Sequence, residues 1–334
     1  MNAALSVLSS LQQRVQQRVM AIRLPKGPQL ARITVLPVIG LMLMLLVWDQ
    51  GARRVETSLG TLPGPVAVWE QAGNLLAEHR VEREKATAFY ERQDARNAAL
   101  LADNPNAEIR HRNYTGKPTF IDQIGTSLFT VMSGFLLASI IAIPVGIAIG
   151  LSPTLYAMFN PVIQIFRPVS PLAWLPIVTL VVSAVYVSDN PAVSRSYLVS
   201  MLCVMLCSIW PTLVNTAVGA STVSSDLVSV SRVLRLNALS HVWRVVLPSA
   251  VPMIFAGLRT SLGVAWMVLI ASEMLAQNPG LGKFVWDEFQ NGSSASLGRI
   301  MVAVLAIGLI GFALDRAMLW LQRNVSWDKN AVLR

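Results

Sequence analysis

The sequence predicts an all-α membrane protein that crosses the bilayer six times. Three observations carry that expectation. Of 334 residues, 54% are hydrophobic and only 13% charged, with a mean hydropathy of +0.53, whereas soluble domains carry about 25% charged residues. Several apolar runs reach the length of a bilayer crossing, about 20 residues. The charge lies elsewhere and is crowded into residues 78–117. Together these exclude a soluble enzyme and a disordered chain. The net charge of +9 and pI near 10.1 would suit a nucleic-acid binder. Basic excess is, however, what the cytoplasmic loops of a membrane protein need, so no nucleic-acid partner is expected.

Residues 1–32 form a lead in which Leu5, Leu8, Leu11, Val15, Val19 and Ile22 recur at helical spacing opposite Gln and Arg. This pattern predicts an amphipathic helix resting on membrane lipid at the inner surface. Residues 33–49 are the first crossing, bounded by Arg32 and Asp49. With its long lead and no Ala-x-Ala-like cleavage site, this run reads as an uncleaved anchor. Residues 50–125 make a large external insert, and residues 126–322 the membrane core. Within the core, 126–151 carries no charge. The third crossing, 168–187, is the least regular, because Pro168, Pro171 and Pro176 each remove a backbone donor. Runs 197–217, 251–274 and 301–321 complete the six. A loop at 220–250 joins the fourth and fifth, and residues 323–334 are a tail.

Six crossings place both termini on one side. The lead, Arg167, the 220–250 loop and the C-terminal end counted from Asp315 hold thirteen basic residues against three acidic, while residues 50–125 balance ten against ten. The basic side is therefore cytoplasmic. In the insert, residues 66–102 read as a helix that follows Leu62-Pro63-Gly64-Pro65 and ends at Asn104-Pro105. Val66, Trp69, Leu75 and Leu76 form its early apolar face, and Glu, Arg and Lys then dominate. Such a charge run is a solvated face or a docking surface for an external partner.

Catalytic signatures are missing. There is no GxxxxGK[ST] phosphate loop, and Gly280-Leu281-Gly282-Lys283 lacks both its spacing and its hydroxyl. His79, His111 and His241 are scattered, and no nucleophile elbow or HExxH occurs. Cys203 and Cys207 sit within an apolar run as small packing residues. No catalytic residue, metal site or cofactor is expected in this chain, and it does not hydrolyse ATP itself.

The 220–250 loop is the most informative segment. Apolar residues at 230, 233, 234, 242, 245 and 246 predict two short helices lying against a surface, closed by Leu247-Pro248. A cytoplasmic elbow of this kind suits a membrane subunit that receives force from a soluble motor. The alternative is an ordinary interfacial loop.

The loop resembles the Glu-Ala-Ala loop of ATP-binding-cassette importer permeases. Aligned on Leu247-Pro248, the pattern's Glu falls on Ser229, its alanines on Val230 and Ser231, and its Gly on Arg235. Length and Leu-Pro agree; those four positions depart. The flanks are closer. Arg167-Pro168-Val169-Ser170-Pro171 with Trp174-Leu175-Pro176, Cys207-Ser208-Ile209-Trp210-Pro211, Gly257-Leu258-Arg259, Ala271-Ser272-Glu273-Met274-Leu275 and Phe284-Val285-Trp286-Asp287-Glu288 are similar to the nitrate-type permeases of the nitrate/sulfonate/taurine/bicarbonate group. The resemblance covers residues 120–320 and does not extend to the charged insert.

That resemblance implies a type I importer permease fold in the inner membrane of a bacterium, with the insert in the periplasm. Implied partners are cytoplasmic ATP-binding subunits that use ATP and Mg, a periplasmic solute-binding protein, and a second copy of the permease in a homodimer. It places Ser229, Val230, Ser231, Arg232, Arg235, Asn237, Ala238, His241 and Trp243 at the ATPase, where they couple hydrolysis to movement. The implied cargo is a small anion, nitrate or nitrite, with bicarbonate, cyanate, taurine or alkanesulfonates as alternatives. Candidate path residues are Arg259, Thr260, Ser170, Trp174, Trp266 and Glu273. An unpaired Arg259 inside the fifth crossing costs at least ~2.5–3.5 kcal/mol. It is a transient counter-charge, with Thr260 and Ser261 adding hydroxyls, or a structural residue bonded to carbonyls or snorkelling to the interface. Glu273 is a gate, a partner for a basic residue, or an interfacial cap. A self-sufficient secondary transporter would show inverted repeats and paired midplane charges, which this sequence lacks. A non-transporting membrane scaffold would have no use for a coupling-type loop.

Overall fold

The computed structural model describes residues 27–57, 60–104, 109, 111–187, 193–293 and 295–325. The expected amphipathic lead and the last residues of the tail lie outside them. Residues up to Pro65 form one compact unit and those from Val66 a second. In the first, helix α1 (Gly27–Ala52) passes through Pro37. From Val35 onward it is apolar enough to cross a membrane, and its large apolar side chains are exposed. A minimal hairpin follows, β1 (Glu56–Thr57) paired antiparallel with β2 (Gly60–Thr61).

The second unit opens with α2 (Pro65–Asp103), a 39-residue helix close to the one expected at 66–102. Its buried face differs from expectation. Val68 and Leu75 are buried, whereas Val66 and Trp69 are 72% and 82% exposed. Next come α3 (Phe120–Leu151), α4 (Pro153–Phe166) and α5 (Pro171–Val185). Helix α3 starts six residues before the expected crossing, because Thr119 and Asp122 form a reciprocal capping box. The third crossing is a bent pair: α4 and α5 meet at 100° across Arg167–Ser170. Helix α4 had no counterpart among the expected spans. Ser152 and Ser170 cap the two helices and Pro153 and Pro171 start them, the position where a proline costs no backbone bond.

The core is α6 (Arg195–Ser221) held between α3 and α9 (Leu247–Ala276). Between α6 and α9 lie α7 (Ser225–Val233), α8 (Ala238–His241) and a π-helical turn at Val242–Val246. The chain then ends in α10 (Leu281–Asn291) and α11 (Ser296–Val325). Five helices among the described residues can cross a membrane, six when the α4–α5 pair counts as one.

Membrane helices gain little from excluding lipid, so close contact and internal hydrogen bonds must hold them. A Cβ on Gly146 would stand 2.8 Å from the Leu213 carbonyl oxygen of α6, and one on Gly257 would stand 3.0 Å from the Pro211 carbonyl oxygen. Pro211 interrupts α6, and the neighbouring helix repairs the ladder. The Thr212 N–H and hydroxyl both donate to Ser261 Oγ at 3.0 and 2.7 Å, and Ser261 donates to the Ser208 carbonyl at 2.6 Å. Ser261 is therefore committed to the backbone of α6 and is not a spare hydroxyl for cargo.

At the insert end, Glu273 is fully buried. It accepts from the Ser127 hydroxyl, at 2.8 Å to the nearer oxygen, and from the Gly282 N–H at 3.1 Å. Ser127 in turn accepts from the Leu281 N–H at 2.8 Å. One carboxylate thus ties α3, α9 and the start of α10, where amide donors are left over. It is not the interfacial cap that its sequence position suggested. A Cβ on Gly282 would overlap the Ile270 carbonyl, so Gly282→Ala is expected to cost about 1–3 kcal/mol, read as a lower melting temperature of the detergent-purified chain.

Candidate functional site

The elbow is built by its end residues. Ser224 caps α7 and accepts from the Leu227 N–H, with Asp226 in the first turn and Arg232 in the last, matching the helix dipole. Helix α7 closes in a paired bond pattern: the Leu236 N–H reaches the Ser231 carbonyl at 3.1 Å and the Arg235 N–H reaches Arg232 at 3.0 Å. Such a closure needs a left-handed residue, and Arg235 takes that role at φ 48°. The aligned glycine of the loop pattern is therefore a geometric requirement that this chain meets with an arginine. Asn237 caps α8 through Oδ1, which accepts from the Ser240 N–H at 2.8 Å.

Sequence periodicity suggested two separate short helices ended by Leu247-Pro248. Only α7 is separate. The second runs through the π turn into α9 as one apolar stretch, Ala238–Ala276. Pro248 has no N–H to offer, and the Leu247 N–H bonds to Val242 in the wider register just before it. Ser231 Oγ lies 2.8 Å from His241 Nδ1, closing the two arms on each other. Val246 is buried with Ile147 and Ala220. Ser231 is buried and His241 half-buried, while Ser229, Val230, Arg232, Arg235, Asn237, Ala238 and Trp243 are exposed. Leu227, Val230, Leu234 and Leu239 are exposed beside Val233 at 82% and Trp243 at 64%. A contiguous apolar face of this size marks an interaction surface.

Arg259 is paired with a carboxylate on a neighbouring helix. Its Nε and Nη2 reach the two oxygens of Asp315 on α11 at 2.5 and 3.0 Å. Asp315 had been counted with the tail, although it lies inside the sixth span. Thr260 is exposed and returns its hydroxyl to the Ala256 carbonyl. Trp266 is buried against Gly311 and donates to the Ile307 carbonyl at 3.0 Å, so it packs α9 on α11. At the bent span, Ser170 is the exposed cap of α5. Phe166 stacks on both Trp174 and Trp210, with centroids 5.8 and 6.4 Å away. Both indole N–H groups are buried without an acceptor among the described residues. Sequence reasoning offers Trp174 and Trp210 alike as path-lining or packing tryptophans but gives no sign that their donors are left without acceptors.

The insert is fastened to the same end of the bundle as Glu273. Arg299 of α11 donates to both oxygens of Glu78 at 2.6 and 3.0 Å and to Glu288 at 2.6 Å, and Ser296 donates to Glu288 at 3.0 Å. Hydrogen bonding from Arg299 holds the Glu78 carboxyl below its usual value. Arg83 pairs with Asp122, His79 Nδ1 lies 2.6 Å from the Thr119 hydroxyl, and Tyr114 donates to Glu82. A cavity of about 1030 Å³ lies between α2, residues 117–123 and the start of α11. The charged run is thus partly a set of ties rather than a wholly solvated face. Among the described residues, no His, Cys, Asp or Glu group is placed to hold a metal.

A bundle of crossings, one broken, with a helical elbow on one end is the architecture of a membrane subunit of a transporter. Residues 141–327 match the family described as the binding-protein-dependent transport system inner membrane component, and the chain belongs to that family. It is 38% identical over 204 residues, 61% of this chain and 69% of the relative, to the nitrate import permease protein NrtB of Synechococcus elongatus. It is 33% identical over 293 residues, 86% of this chain and 88% of the relative, to the bicarbonate transport system permease protein CmpB of the same species. A chain of the MetNI methionine ABC transporter, in inward-facing crystals, superposes with a TM-score of 0.53 at 14% identity, covering 62% of this chain and 95% of that one. The fold is therefore that of a type I importer permease.

Arg235→Gly is expected to stabilise the elbow by about 1 kcal/mol, since glycine carries no left-handed penalty; slower amide exchange over residues 225–241 would register it. A double-mutant cycle on Arg259→Gln and Asp315→Asn is expected to return a coupling of about 1–3 kcal/mol, and additive losses in melting experiments would deny the pair a structural role.

Proposed function

We propose that this chain is the permease of an ATP-driven importer for a small anion, nitrate first, with two copies enclosing the path. The exposed apolar face of α7, with Trp243 beside it, carries this reading. Such a face, stiffened from behind by Ser231 and His241, suits the groove of a cytoplasmic ATP-binding subunit that supplies ATP and Mg chemistry. The basic bias of the elbow and tail supports placing both termini in the cytoplasm. The insert and the Glu273 end then face the periplasm of a bacterial inner membrane, where a solute-binding protein delivers cargo. Lipid and the second copy cover the apolar outer faces of α5 and α11, among them Leu180, Val185 and Leu309.

On this reading closure of the ATP-binding subunits moves the elbow, and α9 carries the movement to the far end. The path is permissive and short of fixed charge, because Arg259 is matched by Asp315. Trp174 and Trp210 offer an anion two donors that no acceptor among the described residues holds. Unpaired buried donors cost about 1–3 kcal/mol each, and a passing oxyanion relieves that cost transiently. Glu273 holds the outer end together and makes no contact with cargo. The higher identity to the nitrate relative, 38%, supports nitrate. Bicarbonate is the second reading, favoured because that relative aligns over 86% of the chain.

Uptake of labelled nitrate in cells lacking this chain, and its return on re-expression, tests cargo. Uptake of bicarbonate alone would move the assignment to the second reading. Val233→Asp puts a charge on the docking face without touching the bundle; it is expected to reduce uptake at least tenfold at normal membrane abundance. Undiminished uptake would remove the elbow from the coupling role.

A further inference from the structure

Helix α2 carries a second cavity, on its C-terminal half and away from the ties to α11. It encloses about 400 Å³ between one face of α2 and Arg112 of the returning segment. Arg92, Arg96 and Arg112 line it, with Phe89 and Leu100 as its apolar wall. None of these three arginines forms an ion pair among the described residues. Arg92 donates its Nε to the Ala88 carbonyl at 2.9 Å, and the Arg112 backbone N–H donates to Gln93 Oε1 at 2.8 Å, which fastens the returning segment over the cavity. Among the described residues no carboxylate lines it: Glu91 and Asp94 fall on other faces of the helix by its 3.6-residue period, and Asp103 lies at the helix end beyond Leu100.

A second observation points to a ligand. Asn97 lines the same cavity and is only 9% exposed, and its Nδ2 has no hydrogen-bond partner among the described residues. A buried donor without an acceptor is uncommon in folded proteins and calls for a cause. Among the described residues the lining thus combines three guanidinium groups and an unmatched amide donor with no carboxylate. That donor set repels cations and leaves a neutral apolar guest with unpaired polar neighbours. Guanidinium groups present planar forks that match the oxygen pairs of planar oxyanions.

We propose that this cavity is a binding site for a small inorganic oxyanion on the insert, separate from the path through the bundle. The depth of Asn97 favours a free ion over a partner's side chain, because the guest must enter the cavity to meet the amide. The proposal does not depend on transport, since binding is measured on the purified chain and uptake in cells.

The experiment is amide hydrogen exchange on the full chain in detergent, with sodium nitrate, and separately sodium sulfate, replacing sodium gluconate at constant ionic strength. The expected result is a saturable slowing confined to residues 89–112 with at least one of the two oxyanions. Arg96→Gln and Arg112→Gln are each expected to weaken it about tenfold, and Asn97→Leu several-fold. Both arginines are exposed, so these variants keep the fold, and an unchanged melting temperature confirms it. No slowing with either oxyanion overturns the proposal, as does equal slowing in gluconate or slowing that survives both arginine variants. Protection that appears only on adding an acidic solute-binding protein also overturns it, in favour of a protein-docking surface.

Discussion

In hydrocarbon every backbone donor and acceptor must be satisfied within the protein, and α6 breaks that rule at Pro211 unless a neighbour intervenes. Ser261 intervenes: it takes the Thr212 N–H that the broken ladder releases and gives its own proton to Ser208. The exchange works only if α6 and α9 nearly touch, which Gly257 permits. One hydroxyl and one missing side chain therefore set the spacing of the central helix pair. That spacing fixes where α9 ends, and so where Glu273 can reach Ser127 and the first amides of α10.

The polar groups of this bundle are mostly turned inward onto each other, and its large apolar side chains are turned outward. In a membrane this is the expected distribution, because the surroundings are apolar. The elbow shows the same distribution at the end of the bundle, where lipid is no longer the neighbour. Val233 and Trp243 stay exposed although α7 is short and amphipathic. The proposed docking of an ATP-binding subunit accounts for exposure there, whereas on α5 and α11 lipid is sufficient.

The crossings were legible because length and apolarity need only the chain itself. The broken third span was legible as irregular, since its prolines were visible, but helix α4 was not, because a short apolar run beside a bend has no distinctive period. Pairings between distant residues were hidden for a different reason. Asp315 lay within a predicted span, yet its charge counted as loop charge until the fold set it opposite Arg259. Glu273 looked interfacial because sequence gives depth along a helix but not the helix that turns back over it. The Gly280-Leu281-Gly282 stretch was legible only as a failed phosphate loop, although its glycines exist to let Glu273 and Ile270 come close. Arg235 was legible as a departure from a pattern, and its φ gives the pattern its reason.

The π turn at Val242–Val246 has a mechanical consequence. It lets the elbow's second arm and α9 form one unbroken stretch from Ala238 to Ala276, 39 residues, or roughly 58 Å at 1.5 Å per residue. No loop interrupts it, so on the proposed function a push at His241 is carried along helical backbone to Glu273. By that length, a tilt of about 5° moves the far end by ~5 Å. The wide turn accommodates Pro248 without a break in the helical backbone.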